Sequence, residues 1–162
     1  MKKYFLLVIF FFTSFSSLAN EIAIVDINFL LKNSNEGKAI DKEFKSQREK
    51  NLNNFKKKEK ELKDKENKIA SKKNVLSKED FKKEVQAFTE EVKKYNKGRK
   101  EKINKTNNQN NEKVVKLLKK INSILIDYSK ENDISTTLDK KYVIMTKKEN
   151  DITEKILEIL NK

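Results

Sequence analysis

Residues 38–70 read KAIDKEFKSQREKNLNNFKKKEKELKDKENKIA, and residues 81–95 read FKKEVQAFTEEVKKY. Isolated large apolar residues stand at helical spacing in a background of Lys, Glu, Asn, Gln and Asp. In the first stretch they are Ile40, Phe44, Leu52, Phe55, Leu62 and Ile69, separated by four, eight, three, seven and seven. In the second they are Phe81, Val85, Phe88, Val92 and Tyr95, stepping by four and three, the interval of a narrow coiled-coil seam. From Lys38 to about Tyr128 there is no proline and one glycine, Gly98. The rhythm breaks between Ala70 and Leu76, and Ser77 followed by Asp80 has the form of a capping box opening a new helix. A reversal at about Val75 brings Ile69 near Phe81, Leu62 near Phe88 and Phe55 near Tyr95, so the seams match in an antiparallel hairpin. Its incoming arm, Lys38 to Lys73, is about 54 Å long.

Composition agrees with solvated helices. Of 162 residues, 39% are charged and 36% hydrophobic, with 2 Gly and no Pro, Cys, His or Trp. Too few side chains are available to bury for an ordinary two-layer globule. Disorder competes as a reading of so polar a chain, but the sustained apolar spacing opposes it. The formal net charge is +13. Removing residues 1–19, which carry Lys2 and Lys3 and no acid, leaves 36 basic against 25 acidic residues, or +11. Nucleic acid, anionic lipid and acidic proteins are all partners that such a charge attracts. Without cysteine there are no disulfides or thiolate metal sites.

Lys2 and Lys3 precede an apolar run from Tyr4 to Phe12 and the small-residue pattern Ser17-Leu18-Ala19. This is a secretory signal, residues 1–19, with cleavage expected before Asn20. The other reading is a retained anchor, but the run is shorter than the roughly 20 residues of a membrane span.

The flanks of the hairpin form a small body. Ile22 to Ile27 suits a strand, Asn28 to Lys32 a short helix and Asn33-Ser34-Asn35-Glu36-Gly37 a turn cluster, with residues 20–37 as the first body segment and Gly37 marking the entry to the arm. The arm occupies 38–113 with its tip at about 70–77, and 114–162 returns to the body. There Val114, Leu117, Leu118, Ile121, Ile124, Leu125 and Tyr128 make a wider apolar stripe. Ile134 to Leu138 and Tyr142 to Met145 are two more strand candidates, and Asp151 opens a final helix. The fold class is therefore α+β, mostly α. About 18 residues before Lys38 and 34 after Tyr128 are few for an independent core, and three short strands leave open edges. Self-association answers both problems.

These residues resemble the Skp family, also called the OmpH family, of periplasmic chaperones. The resemblance is carried by Ile24-Val25-Asp26 with Leu30-Leu31, by Ser34 and Gly37-Lys38-Ala39, by Leu138-Asp139, and by Asp151-Ile152-Thr153 with Ile156-Leu157 and Leu160. The chain departs from the family at Glu131-Asn132-Asp133, which lacks a glycine often found there, and at Thr146 to Asn150, which lacks the usual proline. The resemblance implies a homotrimer whose strands share a β-barrel body, with Ile22, Ile24, Val25, Leu30, Leu138, Val143, Ile156 and Leu160 as body residues. It implies helical arms enclosing a cavity, and ATP-independent holding of unfolded outer-membrane proteins in the periplasm. Sparse apolar residues on long charged arms suit such work, because each contact is weak and reversible while basic charge attracts acidic chains.

Candidate client contacts are Phe44, Leu52, Phe55, Leu62, Phe81, Val85, Phe88, Val92 and Tyr95, although seam spacing more often marks packing against the partner helix. Lys56, Lys57, Lys58, Lys72, Lys73, Lys82, Lys83, Lys93 and Lys94 are candidates for electrostatic steering, or simply a solvated face. Gly98 and the polar tract Asn104 to Asn111 either bend the second arm or are tolerated in one continuous helix. Nothing points to an enzyme, a metal or a cofactor: no glycine-rich phosphate loop and no histidine or cysteine is present. A structural or adhesive coiled-coil protein of the envelope is the alternative. An anionic membrane surface is a further weak partner. A specific nucleic-acid role is opposed by export and by the lack of interleaved stacking aromatics.

Overall fold

The computed structural model describes residues 21–162, so the expected signal segment and its cleavage before Asn20 lie outside the described residues. Strand β1 (Glu21–Val25) leads into helix α1 (Ile27–Asn33), then α2 (Asn35–Ser71) and α3 (Lys78–Glu131). Strand β2 (Ile134–Asp139), two single-turn 3-10 segments and helix α4 (Thr153–Leu160) complete the chain. The fold is mostly α with a small two-stranded sheet.

Local chemistry explains the boundaries. The run expected to continue as strand to Ile27 stops at Val25, because the Asp26 carboxylate accepts the Phe29 N–H at 2.8 Å and caps α1. Ser34, fully buried, ends α1 by donating its backbone N–H to the Leu30 carbonyl and caps α2 by accepting the Gly37 N–H on its hydroxyl. Gly37 is therefore not a turn residue. It lies in the first turn of α2, where a Cβ would come 1.8 Å from the Leu31 carbonyl oxygen, so glycine is what lets α2 pass over α1. At the tip, Ser77 accepts the Asp80 N–H at 3.1 Å and its hydroxyl meets the Asp80 carboxylate at 2.7 Å. The capping signature read from sequence opens α3 at Lys78.

The body core joins elements from both ends of the chain. Ala23 and Val25 of β1, Leu30 of α1, Leu117, Ile121 and Leu125 of α3, and Ile152, Ile156 and Leu160 around α4 form one buried cluster. Thr153 ties the parts together, accepting the Asp26 N–H at 2.9 Å, and Asn161 accepts the Asn35 N–H at 2.8 Å. β1 and β2 pair in parallel, Ile24 opposite Leu138, and the whole hairpin is their crossover.

One expected strand is absent. Tyr142 closes a 3-10 turn, Lys140–Tyr142, that the Asp139 carboxylate caps through the Lys141 N–H, and residues 143–145 form no strand after it. Asp151 bridges the outer edge of β1, the segment pairs with neither strand among the described residues, and Tyr142, Ile144 and Met145 stand exposed. Of the residues assigned to an oligomer body, Ile24, Val25, Leu30, Ile156 and Leu160 are buried within the chain's own body, Val143 is half-buried, and Ile22 and Leu138 are exposed.

Candidate functional site: the paired arms

Ion pairs at heptad intervals mark the register of helices α2 and α3. Glu36 meets Lys120, Glu43 meets Lys113, Lys65 meets Glu91 and Lys72 meets Glu84, each pair straddling a midpoint at about residue 78. The reversal expected at Val75 is thus displaced by about three residues. The cause lies in the tip, where the Val75 and Leu76 N–H groups both bond the Lys72 carbonyl and carry the coil past Ser71 before the chain turns. Leu62 consequently lies level with the turn around Val92 and Tyr95 instead of opposite Phe88.

The stripe of α2 that faces α3 runs through Ile40, Phe44, Gln47, Asn51, Phe55, Lys58, Leu62 and Ile69, spaced by three or four until the final seven. Only Leu62 and Ile69 are buried along it. Asn51 takes the position that the apolar spacing assigned to Leu52, which projects sideways at 48% exposure. Phe44, Phe55, Phe81, Phe88, Val92 and Tyr95 are half-buried, and Val85 is exposed. The aromatic candidates therefore sit on the seam with part of each ring accessible.

Polar and cationic partners fill the remaining positions. The Asn51 amide donates to the buried Thr106 hydroxyl at 3.0 Å, which in turn donates to the Lys102 carbonyl. Tyr95 donates to Glu59 at 2.9 Å, and burial followed by that carboxylate raises the phenol above its ordinary pKa. Hydrogen bonds from Lys65 and then Lys58 hold the Glu91 carboxyl below its ordinary value, and Lys113 does the same for Glu43. Among the proposed steering lysines, Lys58, Lys72, Lys83 and Lys93 are ion-paired. Lys56, Lys57, Lys73, Lys82 and Lys94 have no ion pair among the described residues.

The middle of the arm is underfilled. Residues 96–105 of α3 are all exposed, and a Cβ on Gly98 would meet nothing within 4 Å. α3 nevertheless continues unbroken through this stretch and through the asparagine-rich tract. On one side the helices leave a cleft of about 660 Å³, walled by Arg48, Leu52, Phe55, Arg99 and Ile103 among others. On the other side lies a second cleft of about 570 Å³, reached by Lys94, Tyr95 and Gly98. Asn51, Phe55 and Arg99 line both. The apolar spacing had not singled out Arg48, Arg99, Ile103 or Thr106. The available signal was the scarcity of arginine, since these two are the chain's only ones.

Charge is divided as sharply as packing. Residues 38–113 hold 25 basic and 14 acidic side chains, a net +11, whereas 20–37 and 114–162 together hold 11 of each. Beyond residue 19, all of the excess positive charge belongs to the arm. Among the described residues there is no cluster of acids that could hold a metal ion, and no helix is long and apolar enough to cross a membrane.

The family model described as outer membrane protein (OmpH-like) matches residues 21–160, and the chain belongs to that family. A solved structure described as an OmpH-like outer membrane chaperone from Caulobacter crescentus CB15 superposes with a TM-score of 0.80 at 13% identity. The match covers 87% of this chain and 83% of that one, and at this identity it shows a shared fold. No curated protein sequence matches the chain. The family supports a chaperone role at its own level of generality.

Proposed function

We propose that this member of the OmpH-like family is a periplasmic holdase that binds unfolded outer-membrane proteins through its arms, without nucleotide, and keeps them from aggregating. The carrying observation is the arm itself, a hairpin with all the excess positive charge of residues 20–162 and a row of half-buried aromatics beside an open cleft. Half-buried rings can take up an apolar client segment without unfolding the hairpin, and each contact is weak enough to release. The unpaired lysines Lys56, Lys57, Lys73, Lys82 and Lys94 raise the local concentration of acidic chains. The same charge gives a weak, salt-sensitive attraction to anionic membrane surfaces.

The holding unit is a homotrimer on this reading. Ile22, Leu138, Tyr142, Ile144 and Met145 are exposed on the body, and β2 is an edge strand among the described residues. Open edges and exposed apolar side chains of this kind are covered in stable proteins. Pairing of residues 142–145 with a neighbouring copy supplies the ladder that the single chain lacks.

The test is dilution of a urea-unfolded outer-membrane β-barrel protein into buffer with and without the chain lacking residues 1–19, with light scattering as the readout. Suppression that saturates near one trimer per client, and survives moderate salt, is the expected result. No suppression at several-fold excess overturns the proposal and leaves an envelope coiled-coil protein as the better description. Native mass spectrometry reads the trimer independently.

A further inference from the structure

Of the chain's 38 basic residues only Arg48 and Arg99 are arginines, and the hairpin brings these two, 51 positions apart, to the wall of one cleft. Each guanidinium lies over a ring, Arg48 at 5.6 Å from the Phe44 centroid and Arg99 at 5.3 Å from that of Phe55. Stacking holds a guanidinium in place while leaving its N–H edge free to donate. Arg99 makes one long ionic contact, Nε to Glu59 at 3.6 Å, and Arg48 makes none among the described residues. Lys45 adds a third cation, Glu49 is the one carboxylate on the wall, and Leu52, Phe55 and Ile103 supply apolar surface between them. Lysine would serve a merely solvated face. A planar fork that pairs with carboxylates through two parallel hydrogen bonds is a different instrument.

We propose that this mid-arm cleft is a docking site for a client segment in which an apolar side chain lies within a few residues of a carboxylate. The apolar group packs on Leu52, Phe55 and Ile103, and the carboxylate is taken by one of the two guanidinia, Arg48 at the Phe44 end of the cleft or Arg99 at the Phe55 end. The inference rests on the holdase reading and names what the arm selects. From Lys45 to Phe55 the cleft runs about 15 Å along α2, room for four or five extended residues. It also lies about 35 Å from the tip, counted from Arg48 to Ser71, so a flat lipid surface touching Lys73 and Lys82 does not reach it. An extended polypeptide does.

Three fluorescein-labelled ten-residue peptides test the assignment: a Ser/Thr/Gly background carrying one Phe and one Asp two positions apart, the same with Asp replaced by Asn, and the same with Phe replaced by Ala. Binding is read by fluorescence anisotropy against the chain lacking residues 1–19. Each replacement should weaken binding about tenfold, the loss of one charge-assisted hydrogen bond or one apolar anchor. The double variant Arg48→Lys/Arg99→Lys, which keeps the charge, should weaken the parent peptide to the same degree and leave the Asn peptide unchanged. Leu52→Glu, at an exposed position, should weaken both, and circular dichroism checks that each variant stays helical. Wild-type affinity of the double lysine variant for the parent peptide overturns the proposal. So does displacement of the peptide by phosphatidylglycerol vesicles, which assigns the cleft to lipid headgroups. Aggregation suppression by the wild-type chain without any dependence on these peptides removes only the cleft. Absence of suppression removes the holdase reading itself.

Discussion

The body and the arm share one helix, α3, and use it in opposite ways. Between Leu117 and Leu125 it presents three buried residues to α1, β1 and α4, and the body around it carries no net charge. Between Asn96 and Lys105 it buries nothing, and the arm around it carries +11. The body is held by apolar burial that contributes roughly 1.5–3 kcal/mol per large side chain. The arm is held by scattered seam residues and a ladder of exposed ion pairs, each contributing little. On the proposed holdase reading that division has a use: a body that assembles must not open, and an arm that captures must accept foreign chain without losing its own structure.

The comparison breaks most directly at Ile156, which is fully buried between α4 and the rest of the core. Ile156→Ala should cost about 2–5 kcal/mol, read as a lower urea midpoint at fixed protein concentration. A cost below 1 kcal/mol there would mean the body is no better packed than the arm. The two glycines sharpen the contrast. Gly37→Ala places a Cβ against the Leu31 carbonyl and should destabilise by about 1–3 kcal/mol, since backbone cannot yield as a side chain does. Gly98→Ala meets open space in mid-arm and should stabilise the helix by about 0.5–1 kcal/mol, seen as slower amide exchange across residues 96–105.

The smallest effect concerns pH. Glu43 and Glu91 have folded pKa values below the ordinary 4.5, held there by Lys113 and by Lys65 with Lys58. A depressed carboxyl contributes stability that is complete above that value and is lost as pH falls through the lower folded one. Arm amides should therefore exchange faster as pH drops from about 5 towards 3, after correction for intrinsic rates, and Glu91→Gln should blunt the change. In the body, burial pushes Asp151 upward while hydrogen bonds from Lys140 and Thr153 outweigh it and hold it down. An equal response to Glu91→Gln in both regions would argue against independent holding of the arm.

Much of this architecture is legible in the residues. The capping pair at Ser77, the seam of Phe81, Phe88 and Tyr95, and the stripe from Leu117 to Leu125 follow from helical periodicity, which is local. Three details were not legible, for a common reason. Leu52 reads as a seam residue by its apolar side chain, but the stripe belongs to Asn51, because Thr106 on the other helix offers it a hydrogen bond. Residues 142–145 have strand composition, but a strand needs a neighbour to pair with, and composition does not say where one is. Gly37 reads as a turn, but its function is set by Leu31, six positions back on another helix.

The sequence by itself determined that this is a basic, mostly helical chain with a long hairpin and a small mixed body, because period, caps and charge are written in neighbouring residues. Only the tertiary structure decided the register about residue 78, the underfilled middle of the arm and the placing of Arg48 and Arg99 on the wall of one cleft. Those depend on which side chains two distant helices place level with each other. The six-residue tip turn fixes that alignment and the ion pairs on either side follow it, and no local pattern records it.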